Sequence, residues 1–217
     1  SVGVAYTYSE PLVWYEFVHD CVGLIHERGL VNVLVTNGYI NREPFGELLP
    51  YIDAVNIDLK AFSSEFYKSV CGGDLEPVLR SIRQAYESGC HVELTTLVVP
   101  GLNDSGEEMD SLATWIAALS PDIPLHVSRY FPSYRMTAPP TPMPALQACV
   151  EAARTRLHYV YVGNATVPGG SDTVCPSCGT TVIRRHGYDR VEVLLSGSSC
   201  PECGSGIPVR LRGRGPA

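Results

Sequence analysis

Short apolar runs alternate with amphipathic stretches along most of the chain. Strand-like runs open the chain and recur at residues 31–36, 54–62, 91–99, 125–131 and 159–162. Between them, apolar residues fall at helical spacing. Trp14, Phe17, Val18, Cys21, Leu24 and Ile25 form one stripe, Leu75, Val78, Leu79, Ile82 and Tyr86 a second, and Met109, Leu112, Ala113, Ile116 and Leu119 a third. Shorter helices are expected at residues 42–49 and 146–156, the latter after a proline-rich loop over 132–144. Gly29 and Gly89 stop the first two long helices, and Ser105 with Glu108 three residues on makes a capping-box pattern at the third. Strands separated by helices of this length predict right-handed parallel βα units, closed toward a barrel or laid out as an open doubly wound sheet.

The run over 54–62 departs from a plain core strand. Side chains alternate between faces, so Val55, Ile57 and Leu59 share one face and Asn56, Asp58 and Lys60 the other. A row of amide, carboxylate and ammonium is costly inside a parallel sheet unless each finds a partner, so this face is expected to open into a cavity that takes something polar. The alternative is an edge strand with one wet face, on which Asp58 and Lys60 pair with each other. Polar residues also mark the carboxyl ends of the other strands: Ser9 and Glu10, Thr36 and Asn37, Thr95 and Thr96, and Arg129. Barrels and open α/β sheets both bind ligands at that end, and five such endings in succession favour one shared site.

Composition and charge narrow the function classes. At 217 residues, 45% hydrophobic and 18% charged, the chain can bury one sizeable core and still carry a small appendage, and no apolar run approaches a membrane span. The net charge of -7 is uneven: residues 171–217 hold six arginines against four acids, leaving -9 for residues 1–170. The main body is thus a poor candidate for non-specific nucleic-acid binding. Neither a glycine-rich phosphate loop nor a nucleophile elbow occurs. His19 and His26 read as surface residues, and His91, His126 and His158 as hydrogen-bonded residues at strand starts.

Four of the eight cysteines form two knuckles, Cys175 with Cys178 and Cys200 with Cys203, each followed by glycine and separated by a hairpin-like stretch over 180–195. Paired thiolates at this spacing point to one tetrathiolate site holding zinc, or alternatively iron, in a structural role because all four ligands are protein. Cys21, Cys71, Cys90 and Cys149 are scattered and are expected as buried thiols, which suits a reducing cytoplasm better than a disulfide framework. The expected domains are residues 1–170 and a ribbon module over 171–217.

Residues 5–11, 35–40, 55–62, 93–104 and 126–132, together with the two Cys-Pro-x-Cys-Gly knuckles, match a known family in order. Through them the chain resembles radical S-adenosylmethionine (SAM) enzymes of the pyruvate formate-lyase activating-enzyme type, in the AmmeMemoRadiSam system branch. The resemblance implies an α/β fold, a partial (β/α)6 radical-SAM barrel that here lacks its first unit, with the zinc ribbon appended. It implies a cytoplasmic enzyme that reductively cleaves SAM at a [4Fe-4S] cluster to a 5'-deoxyadenosyl radical for hydrogen abstraction. The implied partners are an electron donor such as flavodoxin or ferredoxin and a protein or small-molecule substrate.

Residue by residue, Ser9 and Glu10 stand in the motif that binds the SAM amino group, without the family's paired glycines. Thr36 and Asn37 would face the ligand, Lys60 would meet the methionyl carboxylate, Asp58 a nearby cation or polar group, and Thr95, Thr96 and Val98 the adenosine. Tyr130 or Phe131 replaces a histidine that activating enzymes often carry. The family's Cys-x3-Cys-x2-Cys loop, which holds three irons of the cluster, does not occur. The chain therefore reads as the carboxyl-terminal part of such an enzyme, without radical chemistry of its own. Two other readings stand beside it. In one, the ribbon is a binding module whose Arg184, Arg185, Arg210, Arg212 and Arg214 contact nucleic acid or a protein partner. In the other, an ordinary βα-barrel enzyme uses Asp58 and Lys60 as an acid/base pair.

Overall fold

A computed structural model describes residues 2–187 and 190–209 of the chain. The tail arginines Arg210, Arg212 and Arg214 lie outside the described residues. Six parallel strands form one sheet in chain order: β1 Gly3–Tyr6, β2 Val31–Thr36, β3 Ala54–Asp58, β4 His91–Val98, β5 Leu125–Arg129 and β6 Val160–Gly163. Because each strand pairs with the next in sequence, the sheet winds in one direction, as in a barrel; a doubly wound sheet would reverse its order midway. Between the strands run α1 Tyr15–Glu27, α2 Arg42–Leu48, α3 Ser64–Phe66, α4 Leu75–Glu87, α5 Gly106–Leu119 and α6 Met143–Arg154. Among the described residues no helix is long and apolar enough to cross a membrane.

The strand alternation sorts the two faces. Leu34, Val55, Ile57, Val92, Leu94, Val98, Leu125 and Val127 are buried in one cluster with Phe45, Ile82, Leu112, Ile116 and Leu146 of the helices. Asn32 sits in this core at 0% exposure, fully engaged: Tyr6 Oη donates to its Oδ1, and its Nδ2 donates to the Val22 and Tyr51 carbonyls. The opposite, concave face is half-buried and polar, with Asn56, Asp58, His91, Glu93, Thr95, His126 and Ser128. β3 is an interior strand between β2 and β4, so the edge-strand expectation fails, although its Asp58–Lys60 pair exists.

Several local expectations shift. Residues Pro11–Trp14 form a 3₁₀ turn, and α1 buries Val18 and Val22 while Trp14, Phe17 and Leu24 stay exposed. A helical stripe shows only that one face is apolar; β1 ends the sheet, and beside it Val4, Trp14, Phe17 and Cys21 line an open groove. Residues Ser64–Phe66 and the π-turn Tyr67–Cys71, unforeseen in the pattern, cross from β3 to α4. At α5 the Ser105 hydroxyl accepts from the Glu108 amide, but the Glu108 carboxylate turns to the Phe62 amide at 2.8 Å, so half of the capping box forms.

The ribbon is a small antiparallel sheet of β7 Thr173–Val174, β8 Thr181–His186 and β9 Arg190–Val193, with the expected hairpin. Its core contains Cys175, Val182, Cys200 and Ile207, and also Tyr159 from the approach to β6. The ribbon is therefore packed against the half-barrel and shares a core residue with it.

Candidate cofactor cavity and metal centre

At the carboxyl ends of β1, β2 and β3 three segments are locked together. Glu10 opens the 3₁₀ turn: its Oε1 accepts from the Leu12 amide at 3.1 Å and from Thr36 Oγ1 at 2.7 Å, and its Oε2 from the Asn37 amide at 2.7 Å. Thr36 Oγ1 in turn accepts from the Gly38 amide at 3.1 Å. Gly38 has φ +70°, and a Cβ there would stand 2.7 Å from Ile57 Cγ2, so position 38 takes only glycine without strain or displacement. Glu10 thus holds the turn at Asn37, whose own Oδ1 accepts from the Tyr39 amide at 2.8 Å.

Lys60 is fixed through its backbone. β3 stops at Asp58 because the next carbonyl, of Leu59, accepts from Thr96 Oγ1 at 2.7 Å, and the Lys60 amide donates to Tyr67 Oη at 3.1 Å. Burial pushes the Tyr67 hydroxyl pKa up, so the group stays a neutral phenol. Asn103 closes the arrangement: its Nδ2 donates to the Lys60 and Leu97 carbonyls at 2.7 and 2.9 Å, and its Oδ1 accepts from the Val99 amide at 2.6 Å. The Lys60 ammonium, part-exposed, lies 2.8 Å from Asp58 Oδ2.

Glu10, Asn37 and Lys60 line one cavity of about 610 Å³, with Tyr39, Leu97 and Val99 on its apolar walls. Of the five polar strand endings, the structure therefore brings three to one place. Ser9 is exposed, Asp58 approaches through Lys60, and Thr95 donates to Asn56 Oδ1 at 2.9 Å deeper in the concave face. Thr96 and Val98 correct the expectation: both are buried on the helix side, where Thr96 holds the Leu59 carbonyl and the Val98 carbonyl accepts from Thr141 Oγ1. Alternation gives Leu97 to the cavity, a residue the sequence reading passed over. Arg129 donates from Nε to the Thr141 carbonyl and is not drawn in. Asn103 and the π-turn were missed as well; the polar residues after Pro100 and Gly101 were the available signal for Asn103.

The four knuckle cysteines meet in the ribbon with their sulfurs all within 4.8 Å of one another. Cys175 Sγ and Cys203 Sγ are 3.6 Å apart and Cys178 Sγ and Cys200 Sγ 3.7 Å. A tetrahedron with metal–sulfur bonds of about 2.3 Å has edges of about 3.8 Å, so the set fits one tetrathiolate ion and is too open for disulfides. The other cysteines do not gather: Cys90 and Cys149 are buried, Cys21 is half-buried and Cys71 is exposed, which corrects the expectation of four buried thiols. Among the described residues no second metal-ligating group of three occurs. The residues present therefore do not fit a [4Fe-4S] cluster beside the cavity.

Arg185 is held within the chain. Its Nη1 donates to the Ser171 carbonyl and Thr173 Oγ1, its guanidinium lies 5.3 Å over the Tyr161 ring, and Arg184 lies 3.8 Å from Glu192. His91 and His126 are hydrogen-bonded as expected, both to Glu93, and His158 pairs with Asp122.

Comparison with known proteins bears on the fold and the family. The chain is 39% identical over 214 residues to an uncharacterised protein of Methanocaldococcus jannaschii, covering 96% of this chain and 63% of that protein. It is 29% identical over 114 residues to the pyruvate formate-lyase-activating enzyme of Clostridium pasteurianum, covering 52% of this chain and 48% of that enzyme. It thus spans less than two thirds of the length of either relative. Among solved structures, a domain of pyruvate-formate lyase-activating enzyme from Bacteroides vulgatus superposes with a TM-score of 0.65 at 21% identity, covering 76% of this chain and 100% of that one. A radical SAM methyltransferase from Sphaerobacter thermophilus gives 0.63 at 16% identity, covering 74% and 50%. At these identities the two structures speak for the fold. The radical SAM superfamily model matches residues 1–115, more than half of the chain, and the chain belongs to that superfamily.

Proposed function

We propose that this chain forms the SAM cradle of a radical SAM enzyme of the activating-enzyme type, with the amino-acid end of SAM at the carboxyl ends of β1, β2 and β3. The observation that carries the reading is the convergence of Glu10, Asn37 and Lys60 on one 610 Å³ cavity at the ligand-binding end of the sheet. The Lys60 ammonium would form a charge-assisted hydrogen bond with the methionyl carboxylate, and Asp58 would keep the ammonium aimed. Glu10 acts one step back: both its oxygens hold the Thr36–Gly38 turn, so it positions Asn37 toward the ligand. Tyr39, Leu97 and Val99 supply apolar walls for the adenosine.

SAM bound at a reduced [4Fe-4S] cluster supplies a 5'-deoxyadenosyl radical in this family. The cysteines of this chain do not fit that cluster, so its own part is to bind and orient SAM. The whole protein's activity belongs to the same reading: hydrogen abstraction from a protein or small-molecule substrate in the cytoplasm, with flavodoxin or ferredoxin as electron donor. The ribbon holds zinc and serves structure, because four thiolates leave no open coordination position.

Calorimetric titration with SAM tests the cradle. Lys60→Ala is expected to weaken binding at least tenfold, about 1.4 kcal/mol, by leaving the ligand carboxylate without its cation. Equal affinity in the variant and the parent chain would overturn the assignment of Lys60.

A further inference from the structure

The other end of the half-barrel holds a second cavity, of about 640 Å³, between the amino ends of the strands and the ribbon. It lies outside the SAM cradle and has its own polar groups. On its sheet wall the Glu93 carboxylate takes two imidazoles, His126 Nε2 at 2.7 Å and His91 Nε2 at 3.1 Å. The His126 ring lies 5.3 Å from the Tyr161 ring, and Arg185 of the ribbon lies 5.3 Å over Tyr161. Two side-chain hydrogen bonds of Arg185, to the Ser171 carbonyl and Thr173 Oγ1, leave from Nη1. Neither uses the Nε–Nη2 edge, the side on which a guanidinium can grip a carboxylate through two parallel bonds.

Tyr159 supplies the second observation. It lines this cavity and is 4% exposed, and its buried hydroxyl has no hydrogen-bond partner. A tyrosine hydroxyl is both a donor and an acceptor. A buried donor without an acceptor destabilises a fold, and native proteins seldom keep one that nothing uses. The remaining wall is apolar, with Val31, Ile183 and Ile207. Each carboxylate nearby is already engaged within the chain: Glu93 with His126 and His91, Asp122 Oδ1 at 2.8 Å from His158 Nδ1, and Asp53 Oδ2 with the Asn32 amide at 2.8 Å.

We propose that this basal cavity binds a small carboxylate on an aromatic or apolar body, with the carboxylate on Arg185 and an acceptor oxygen on the Tyr159 hydroxyl. The body packs between sheet and ribbon, so the ligand bridges the two. The site is independent of the SAM cradle and stands or falls separately from it.

The probe is benzoate, titrated calorimetrically into the full chain, with benzamide as its uncharged isostere. Benzoate is expected to bind and benzamide to bind at least tenfold more weakly. Tyr159→Phe is expected to weaken benzoate about tenfold, equivalent to 1.4 kcal/mol, and to raise the thermal midpoint of the ligand-free chain because it deletes the unpaired hydroxyl. Arg185→Lys keeps the charge, loses the fork and is expected to weaken benzoate similarly. Saturating SAM should leave benzoate affinity unchanged. Absence of benzoate binding at millimolar concentration, equal binding of benzamide, or competition by SAM overturns the proposal. So does a Tyr159→Phe midpoint that fails to rise, since the hydroxyl would then already have a partner.

Discussion

Replacing Asn103 with alanine tests how the cradle is held. The side chain is 3% exposed and serves three backbone groups: the Val99 amide at 2.6 Å, the Lys60 carbonyl at 2.7 Å and the Leu97 carbonyl at 2.9 Å. Alanine removes all three partners at once, and nothing of its size restores them. Each buried backbone group left unpaired costs about 1–3 kcal/mol. Lys60 is only half-buried and its carbonyl can turn toward water, so about 3–5 kcal/mol is expected in total. For a chain of this length that corresponds to a fall in the unfolding midpoint of roughly 6–20 °C. Urea denaturation followed by circular dichroism, with a parallel thermal scan, reads both quantities. Asn103→Asp is the control: it keeps the acceptor for Val99 and faces two carbonyls with a group that cannot donate to them when ionised, so it should recover little. A loss under about 1 kcal/mol for Asn103→Ala, within the range of an ordinary surface change, would refute the view that this side chain staples the loop carrying Lys60.

Two further outcomes follow from the other clusters. Desolvation raises the Glu93 carboxyl pKa, but the hydrogen bonds from His126 and His91 outweigh it and bring the pKa from 4.5 down to about 2. The unfolded chain therefore binds more protons than the folded one between about pH 4.5 and pH 2, so stability should fall as pH drops through that window. Urea midpoints across it should slope less steeply in Glu93→Gln, and an unchanged slope would count against the pairing. Cys200→Ser removes one of four metal ligands, so metal analysis should show loss of the ion. Because Tyr159 sits in the ribbon core, hydrogen exchange should quicken near β6 as well as in residues 173–207; acceleration confined to the ribbon would show that the shared core residue transmits nothing.

Much of the architecture was legible because its signals are local. Alternation and helical spacing act over a few residues, and they located the six parallel strands, the long helices and the ribbon hairpin. The knuckles carried their own meaning for the same reason, since two thiolates three positions apart already reach one ion. Glu10, Asn37 and Lys60 were also visible, as polar residues where apolar strands stop. Alternation even contained the answer for the segment Thr95 to Val98, where applying it strictly assigns Leu97 to the cavity and Thr96 and Val98 to the core.

What the tertiary structure alone decided depends on partners far away in sequence. The α1 stripe announced an apolar face, but whether Trp14 and Phe17 are covered depends on what lies beyond β1, and among the described residues that groove is open. The end of β3 and the aim of Lys60 are set by Tyr67, Thr96 and Asn103, the last of them 43 residues away. Glu93 meets His126 across 33 residues, and Tyr159 joins a core of ribbon residues. Local patterns state which side chains need a partner, whereas long-range packing determines which partner each receives, and so whether a polar residue becomes a ligand, a staple or a buried group with nothing to bond.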